Sequence, residues 1–315
     1  MSILGIDLGG TKLASAIFTE SGEIKAKEAI PLSSRSGPAV GELIAGQVRK
    51  YLSSEKFELK SIGISVPGIS HHKTGTVWAP NIPGWNDYPL LHEIKMVADE
   101  IPVSIDSDRA CSMLGEIWQG KAKGSRDAIF LAVGTGIGAG ILIDGHILRG
   151  SQDIAGAVGW MALQKPFQQK YLECGCFEYY ASGEGIAKLA RETLIKNEDY
   201  RGRLRNQDPS TITAHTIFQA HKERDEIAVA VIRECIEFWG MATANLISIF
   251  NPEKIIFGGG IFGPGEQFIP AIRQEAKKWA QPISMKQVSF EKSTLHGDAA
   301  VYGAAFLAIQ KIREN

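Results

Sequence analysis

Three short segments combine glycines, hydroxyls and a carboxylate in a way that suits phosphate. Asp7 precedes Gly9-Gly10-Thr11-Lys12, Gly134-Thr135-Gly136 recurs later, and Gly258-Gly259-Gly260 forms a third cluster. Glycine lets a backbone approach an anion closely enough for its N–H groups to donate, and a threonine hydroxyl adds another donor. Each cluster taken alone is equally a hairpin turn or a bulge. Two clusters with threonine in the same slot weaken that bland reading. A carboxylate at Asp7 would face the same phosphate, which calls for a divalent cation between them, held through water. Asp106 and Asp108 make a second acidic position, ahead of a helix that starts near Ala110. Transfer of a phosphoryl group to an alcohol benefits from a carboxylate that takes the hydroxyl proton. Asp108 suits that role, and it equally suits the role of helix N-cap.

These residues need strand ends to hold them. Ile3 to Leu8 is a short apolar run stopped by Gly9-Gly10, Lys12 to Thr19 continues as a strand, and Glu23 to Leu32 adds a third, so an antiparallel meander opens the chain. Ala39 to Leu52 has helical spacing, and Ser61 to Val66 and Val103 to Ile105 are buried strands. Ala128 to Val133, an interrupting glycine turn, Ala139 to Ile143 and Asp144-Gly145 then repeat the opening plan. A long helix is expected over Glu226 to Phe250, a strand over Ile255 to Phe257 and a last helix from about Asp298 to Ile312. The expected class is α/β, a duplicated unit with a cleft between the halves. The boundary is set near 108: residues 1–108, completed by the last helix at about 298–315, and a larger half over 109–297.

Three look-alikes need weighing. Gly115 to Ala122 reads G-x-x-x-x-G-K-A, without the hydroxyl residue that would bind magnesium in a P-loop and on a helical stretch. Gly134 to Ala139 fits a dinucleotide fingerprint, but a strand follows it where a helix is required. Gly258 to Gly263 fits G-x-G-x-x-G with a helix after it and Glu291 on the next strand, so a dinucleotide site stays open there.

Composition sets the outer limits. The chain has 315 residues, 34 basic and 35 acidic side chains and a formal net charge of −1, a poor balance for sequence-independent nucleic-acid binding. No run approaches 18 apolar residues, so no membrane-spanning helix is expected. Residues 1–5 lack the features of a secretory signal, and four cysteines are too few for a disulfide scaffold, so a reducing cytoplasm is the expected location.

The pattern as a whole resembles the ROK family of sugar kinases. The resemblance is carried by Asp7 to Lys12, Val66-Pro67-Gly68, Ala79-Pro80-Asn81-Ile82-Pro83-Gly84-Trp85 and Asp108 with Ala110 and Leu114-Gly115-Glu116. It continues through Gly134 to Gly138, Gly175-Cys176-Phe177-Glu178 with Ser182-Gly183, and Asn251-Pro252 leading into Gly258-Gly259-Gly260. It implies an actin-like ATPase fold (ribonuclease H-like) with two lobes around a central cleft. It also implies ATP and Mg2+ as cofactors, a hexose or hexosamine acceptor and a homodimer. By this resemblance Asp108 is the catalytic base. Asp7, Gly9, Gly10, Thr11, Lys12, Gly134, Thr135 and Gly136 hold the phosphates, with Mg2+ near Asp7. Gly258 and Gly259 form the adenosine-side loop. Gly68, Asn81, Ser107, Asp108 and Glu178 line the sugar pocket. The family also contains repressors with an N-terminal DNA-binding segment; here the first phosphate strand starts at Ile3, so a kinase is the expectation.

The chain departs from the family at three places. Ser107 stands where an asparagine is usual and offers fewer hydrogen-bond sites. Ala157 and Trp160 stand where a sugar-binding glutamate and a zinc-ligating histidine are usual. The zinc motif keeps one cysteine in place, Cys176, with Cys174 as an extra, so no zinc is expected. Trp160 and Tyr171 would then fill vacated volume, or Trp160 would offer a stacking wall to a ligand. Lost hydroxyl readers point away from glucose as the only acceptor. They also keep open a catalytically weak sugar-binding or regulatory protein.

Overall fold

β1 (Ser2–Leu8), β2 (Lys12–Phe18) and β3 (Ile24–Pro31) form the opening antiparallel meander. Pro38 starts α1 (Pro38–Leu52), where its missing N–H is no loss. β4 (Leu59–Val66) returns parallel to β1. A short hairpin, β5 (Ile69–His71) and β6 (Thr76–Trp78), and a helix, α2 (Leu90–Ala98), come next. Then follow β7 (Val103–Ser107), parallel to β4, and α3 (Asp108–Gln119). The sheet order is β3-β2-β1-β4-β7. β3 alternates half-buried and exposed residues and shows Lys25, Lys27 and Glu28 along its outer edge, which guards an edge strand against further pairing.

The plan repeats. β8 (Ala128–Val133), β9 (Ile137–Ile143) and β10 (His146–Ile147) form a second meander. β9 starts two residues ahead of the expected Ala139, because the glycine turn closes within Gly134 to Gly136. α4 (Cys176–Ala181), α5 (Gly183–Lys196), α6 (Ala214–Lys222) and α7 (Glu226–Phe250) precede β11 (Lys254–Gly258). α7 starts where expected because Asp225 accepts from the Ile227 and Ala228 amides, and it stops at left-handed Asn251 before Pro252. α8 (Ile269–Trp279), α9 (Pro282–Gln287), β12 (Ser289–Lys292) and α10 (Ala299–Glu314) complete the chain. The order β10-β9-β8-β11-β12 matches the first sheet strand for strand.

The computed structural model describes residues 1–314 and divides into two units. The first contains Met1–Ser125, Gly140–Gly156 and the chain from Ser293 onward; the second contains Arg126–Ala139 and Ala157–Lys292. The boundary expected at 108 therefore lies beyond α3. The reason is packing: α10 lies against α3, and a side chain at Gly303 would collide with the Cys111 carbonyl. α10 covers one face of the first sheet with Val301, Ala305, Ala308 and Ile309 against Ile3, Ala16 and Phe18. Leu4, Ile6 and Leu8 face the other way, into a larger core with Ile44, Val48, Trp85 and Ile94. Both faces of β1 and β4 are thus covered, which is why these strands read as unbroken apolar runs. In the second unit Trp239 of α7 donates its indole N–H to Ala181 O at 2.9 Å and packs on Phe262, which packs on Phe257 of β11.

Candidate active site

In the first unit the parallel strands bring three polar residues into one row. Asp7 pairs with Ser65 across β1 and β4, and Ser65 pairs with Asp106 across β4 and β7. All lie at the carboxyl ends of the strands, where open α/β sheets bind ligands. Ser65 Oγ donates to Asp7 Oδ1 at 2.7 Å. Burial is the largest influence on Asp7 and the charge of Asp108 adds to it; together they push its carboxyl up to about 6, against the Ser65 bond and Lys12. The Gly9 amide donates to Lys12 O at 2.9 Å to close the β1–β2 turn, and Gly10, Thr11 and Lys12 are exposed.

Ser107, not Asp108, caps α3: its Oγ accepts from the Ala110 amide at 3.3 Å, and the helix starts at Asp108, ahead of the expected Ala110. The alternative reading of Asp108 as the N-cap is thereby corrected. Ser107 is buried, 7% exposed, with its oxygen lone pair committed to the helix. Asp108 is half-buried on the first turn. Desolvation raises its carboxyl above the ordinary value, against Arg109 and the first amides of the helix. A carboxylate shifted this way binds a proton more readily, as a general base for an alcohol must. Arg109 Nη2 also donates to Gly68 O at 3.0 Å. Gly68 has φ +88, and a side chain there would collide with Trp78 O, so the turn after β4 admits only glycine. Asn81 is exposed on a loop closed by Ala79 N to Trp85 O at 2.8 Å and anchored by Trp85, whose indole donates to Gly37 O at 2.9 Å.

In the second unit two glycine loops meet at the ends of neighbouring parallel strands, β8 and β11, with Gly258 opposite Ala132. The Gly134 amide donates to Gly136 O at 2.9 Å, and the Gly183 amide donates to Gly134 O at 2.7 Å. Thr135 is exposed. Gly258 would drive a side chain into the Phe130 ring, and Gly259, at φ +84, would drive one into the Val133 carbonyl. Gly10, Gly134 and Gly260 are different: ordinary φ and no atom within 4 Å of an added Cβ, so the fold itself does not demand glycine there. A ligand pressed against the backbone would. A turn of 3-10 helix begins at Gly260, and α8 starts only at Ile269. Glu291 lies inside β12, paired with Ile256. The strand–turn–helix that a dinucleotide fingerprint requires is therefore not formed at Gly258 to Gly263.

Glu178 Oε2 accepts from the Ile137 amide at 2.6 Å. Burial raises its carboxyl, and the Ile137 amide pulls it down. Glu178 thus braces the end of the Gly134–Gly136 turn from α4. Trp160 is 57% exposed and fills no core. Tyr171 does: it is buried, hydrogen-bonded to Tyr180 at 3.0 Å, and Tyr180 stacks on Phe238 at 4.6 Å. The family's zinc does not fit this donor set: Cys176 is buried at the start of α4, Trp160 has no metal-binding atom, and among the described residues no group of three or more His, Cys, Asp or Glu is placed to hold a metal ion. A nucleotide-borne magnesium does fit Asp7, because a cation would favour the ionised carboxylate that burial, and to a lesser extent Asp108, disfavours.

Sequence reading named Asp106 only as a strand end and missed its partners. Asp106 Oδ2 accepts from Arg149 Nε at 3.0 Å and Nη2 at 2.7 Å, and His72 Nε2 lies 3.7 Å away. His72 Nδ1 meets Asp153 Oδ1 at 3.0 Å. The first pair is 43 residues apart and the last 81, so no local spacing announces them.

A model of the ROK family matches residues 3–311. A glucokinase from Halalkalibacterium halodurans is 34% identical over 98% of this chain and 95% of its own length. A xylose repressor from Caldicellulosiruptor bescii is 33% identical over 98% of this chain and 78% of its own. Among solved structures, a ROK family glucokinase from Streptomyces griseus in complex with glucose and AMPPNP has a TM-score of 0.81 and 28% identity, covering 98% of this chain and 100% of that one. The duplicated sheets are thus those of the actin-like ATPase fold.

Proposed function

The chain belongs to the ROK family, and on that premise we propose that it is an ATP-dependent sugar kinase, transferring the γ-phosphoryl group to a primary hydroxyl of a hexose or hexose derivative. The observation that carries this is Asp108: a half-buried carboxylate of raised proton affinity, released from capping by Ser107, directly after the β7 end and near enough to Asp7 for their charges to interact. Asp108 takes the proton of the acceptor hydroxyl as its oxygen bonds to the γ-phosphorus, and the bond from that phosphorus to the bridging oxygen breaks to release ADP. Amides of Gly9 to Thr11 and Gly134 to Gly136, with Thr11, Thr135 and Lys12, serve the phosphates; Gly258 and Gly259 carry the adenosine side. Magnesium, when bound with ATP near Asp7, neutralises charge on the phosphates. Gly68, Asn81, Ser107 and Glu178 border the acceptor. With the Ser107 oxygen capping α3 and Ala157 and Trp160 replacing polar readers, the pocket favours an acceptor other than unmodified glucose.

The test is ADP release from Mg-ATP with glucose, N-acetylglucosamine, xylose, aryl glucosides and polyols, with Asp108→Asn alongside. Turnover with one acceptor, abolished in the variant, supports the kinase. A second reading, a sugar-binding or regulatory member, draws on the same lost pocket residues. It predicts tight sugar binding without turnover and an Asp108→Asn protein indistinguishable from the parent. A homodimer belongs to the proposal as well; light scattering that reads one chain at assay concentration removes it.

A further inference from the structure

Asp106 sits two residues before Asp108, and all of its carboxylate contacts are in place. Its side chain is 3% exposed. Oδ1 accepts from the Ser107 amide at 2.8 Å, which fixes the residue that caps α3. Oδ2 takes the two Arg149 nitrogens and faces His72 Nε2. The other ring nitrogen of His72 faces Asp153 Oδ1 at 3.0 Å, and the His72 amide donates to Asp153 Oδ2 at 3.1 Å. His72 therefore lies between two carboxylates, one on each ring nitrogen. Only the imidazolium has an N–H for both, because the neutral ring carries one proton. With His72 charged, two anions meet two cations; without that proton the cluster holds an excess negative charge beside a buried aspartate, which is costly.

The groups facing His72 are Asp106 from β7 and Arg149 and Asp153 from the segment after β10. The Asp106 carboxylate, 3.7 Å from Nε2, raises its proton affinity most, and burial and Arg149 oppose this. The ring remains open to solvent, its side chain 38% exposed. Its chain neighbours His71 and Lys73, with Asp87 and Asp153, line part of a cavity of about 290 Å³. Its protonation can therefore follow bulk pH while its partner Asp106 is sealed in the strand end.

We propose that His72, held as an imidazolium between Asp106 and Asp153, is a positioning residue that fixes the Asp106–Ser107 strand end and thereby the direction of Asp108. It touches no substrate in this scheme; it acts through Asp106. This rests on the kinase reading of Asp108, so the test has an arm that does not. Carboxyl 13C NMR of aspartate-labelled protein follows Asp108 directly, its resonance assigned by loss in Asp108→Asn. In the parent protein that resonance shifts as His72 titrates; in His72→Gln the step is gone. In the kinetic arm, with Mg-ATP and glucose, or N-acetylglucosamine where glucose is not turned over, His72→Gln lowers kcat about tenfold, within what a displaced reacting group costs. KM for ATP stays within about twofold, and the alkaline fall of kcat in the parent disappears. Asp153→Asn, milder for folding, moves that fall about one pH unit toward acid, since one of the two anions holding the proton is gone. An Asp108 resonance indifferent to His72, or His72→Gln and Asp153→Asn with the parent's kcat and pH profile, overturns the proposal. Asp108→Asn with undiminished turnover overturns instead the kinase reading beneath it, and leaves the NMR arm to decide the role of His72.

Discussion

The two five-stranded sheets share a strand order and differ at their strand ends. In the first, the parallel strands close on Asp7 with Leu8, Ser65 with Val66, and Asp106 with Ser107, followed at once by Asp108. In the second, the corresponding strands close on Val133, Gly258 and Lys292. One copy of the plan gathers carboxylates and raises two of them, Asp7 and Asp108, above their ordinary proton affinity. The other copy offers backbone amides and glycines, with Glu178 turned to brace a loop. On the proposed function, like scaffolds carry unlike chemistry: the first sheet supplies proton acceptance, cation-facing charge and one phosphate turn, and the second supplies glycine loops alone.

The largest effect should come from the carboxylate that the second unit lacks. Asp108→Asn should reduce kcat by about a thousandfold, as expected for loss of a general base, with ATP affinity by calorimetry unchanged. A fall in affinity with little change in kcat would move Asp108 out of the proton path.

Asp7 sharpens the contrast through stability. Its folded-state value of about 6 lies above the 3.8 of an ordinary aspartate, so its ionised form opposes folding. The folded protein loses stability as pH rises from about 4 to about 6, and the whole cost is present above that. Asp7→Asn should therefore stabilise metal-free protein at pH 7.5 by at most about 3 kcal/mol, while the gain fades below pH 4. Urea titrations at the two pH values check it; a destabilised variant at pH 7.5 would contradict the account of Asp7.

Within the second unit the glycines should separate. Gly259→Ala, strained at φ +84 and pressed on the Val133 carbonyl, should cost about 2 kcal/mol of stability. Gly134→Ala, in open space, should change stability by no more than about 0.5 kcal/mol yet raise KM for ATP several-fold. Equal stability losses would remove the distinction between glycines needed by the fold and glycines needed by a ligand. The smallest stability effect belongs to Trp160→Ala, within about 0.5 kcal/mol because the indole is exposed; its consequence should appear in acceptor KM.

Much of this layout is legible in the sequence because it depends on local signals. Gly9-Gly10, Ser21-Gly22 and Asp144-Gly145 punctuate the meanders, and Asp225 and Asn251-Pro252 bound α7. Asp7, Asp108 and the glycine loops are visible because each lies beside a strand-ending turn. What stays hidden depends on distant partners. α3 joins the first unit mainly through its packing on α10, and β5 and β6 are too short to show a period. The capping role of Ser107 was masked by the acidic residues on both sides of it. His72, Arg149 and Asp153 are unremarkable in sequence and meet only when the fold closes.

The most direct measurement is 31P NMR of the parent protein with Mg-ATP and the acceptor panel, with Asp108→Asn in parallel. The account predicts a new sugar phosphate monoester resonance growing in step with ADP for at least one acceptor, and none in the variant. Phosphate monoester formed equally by both proteins, or ADP appearing only with inorganic phosphate, would contradict phosphoryl transfer to a sugar with Asp108 as its base.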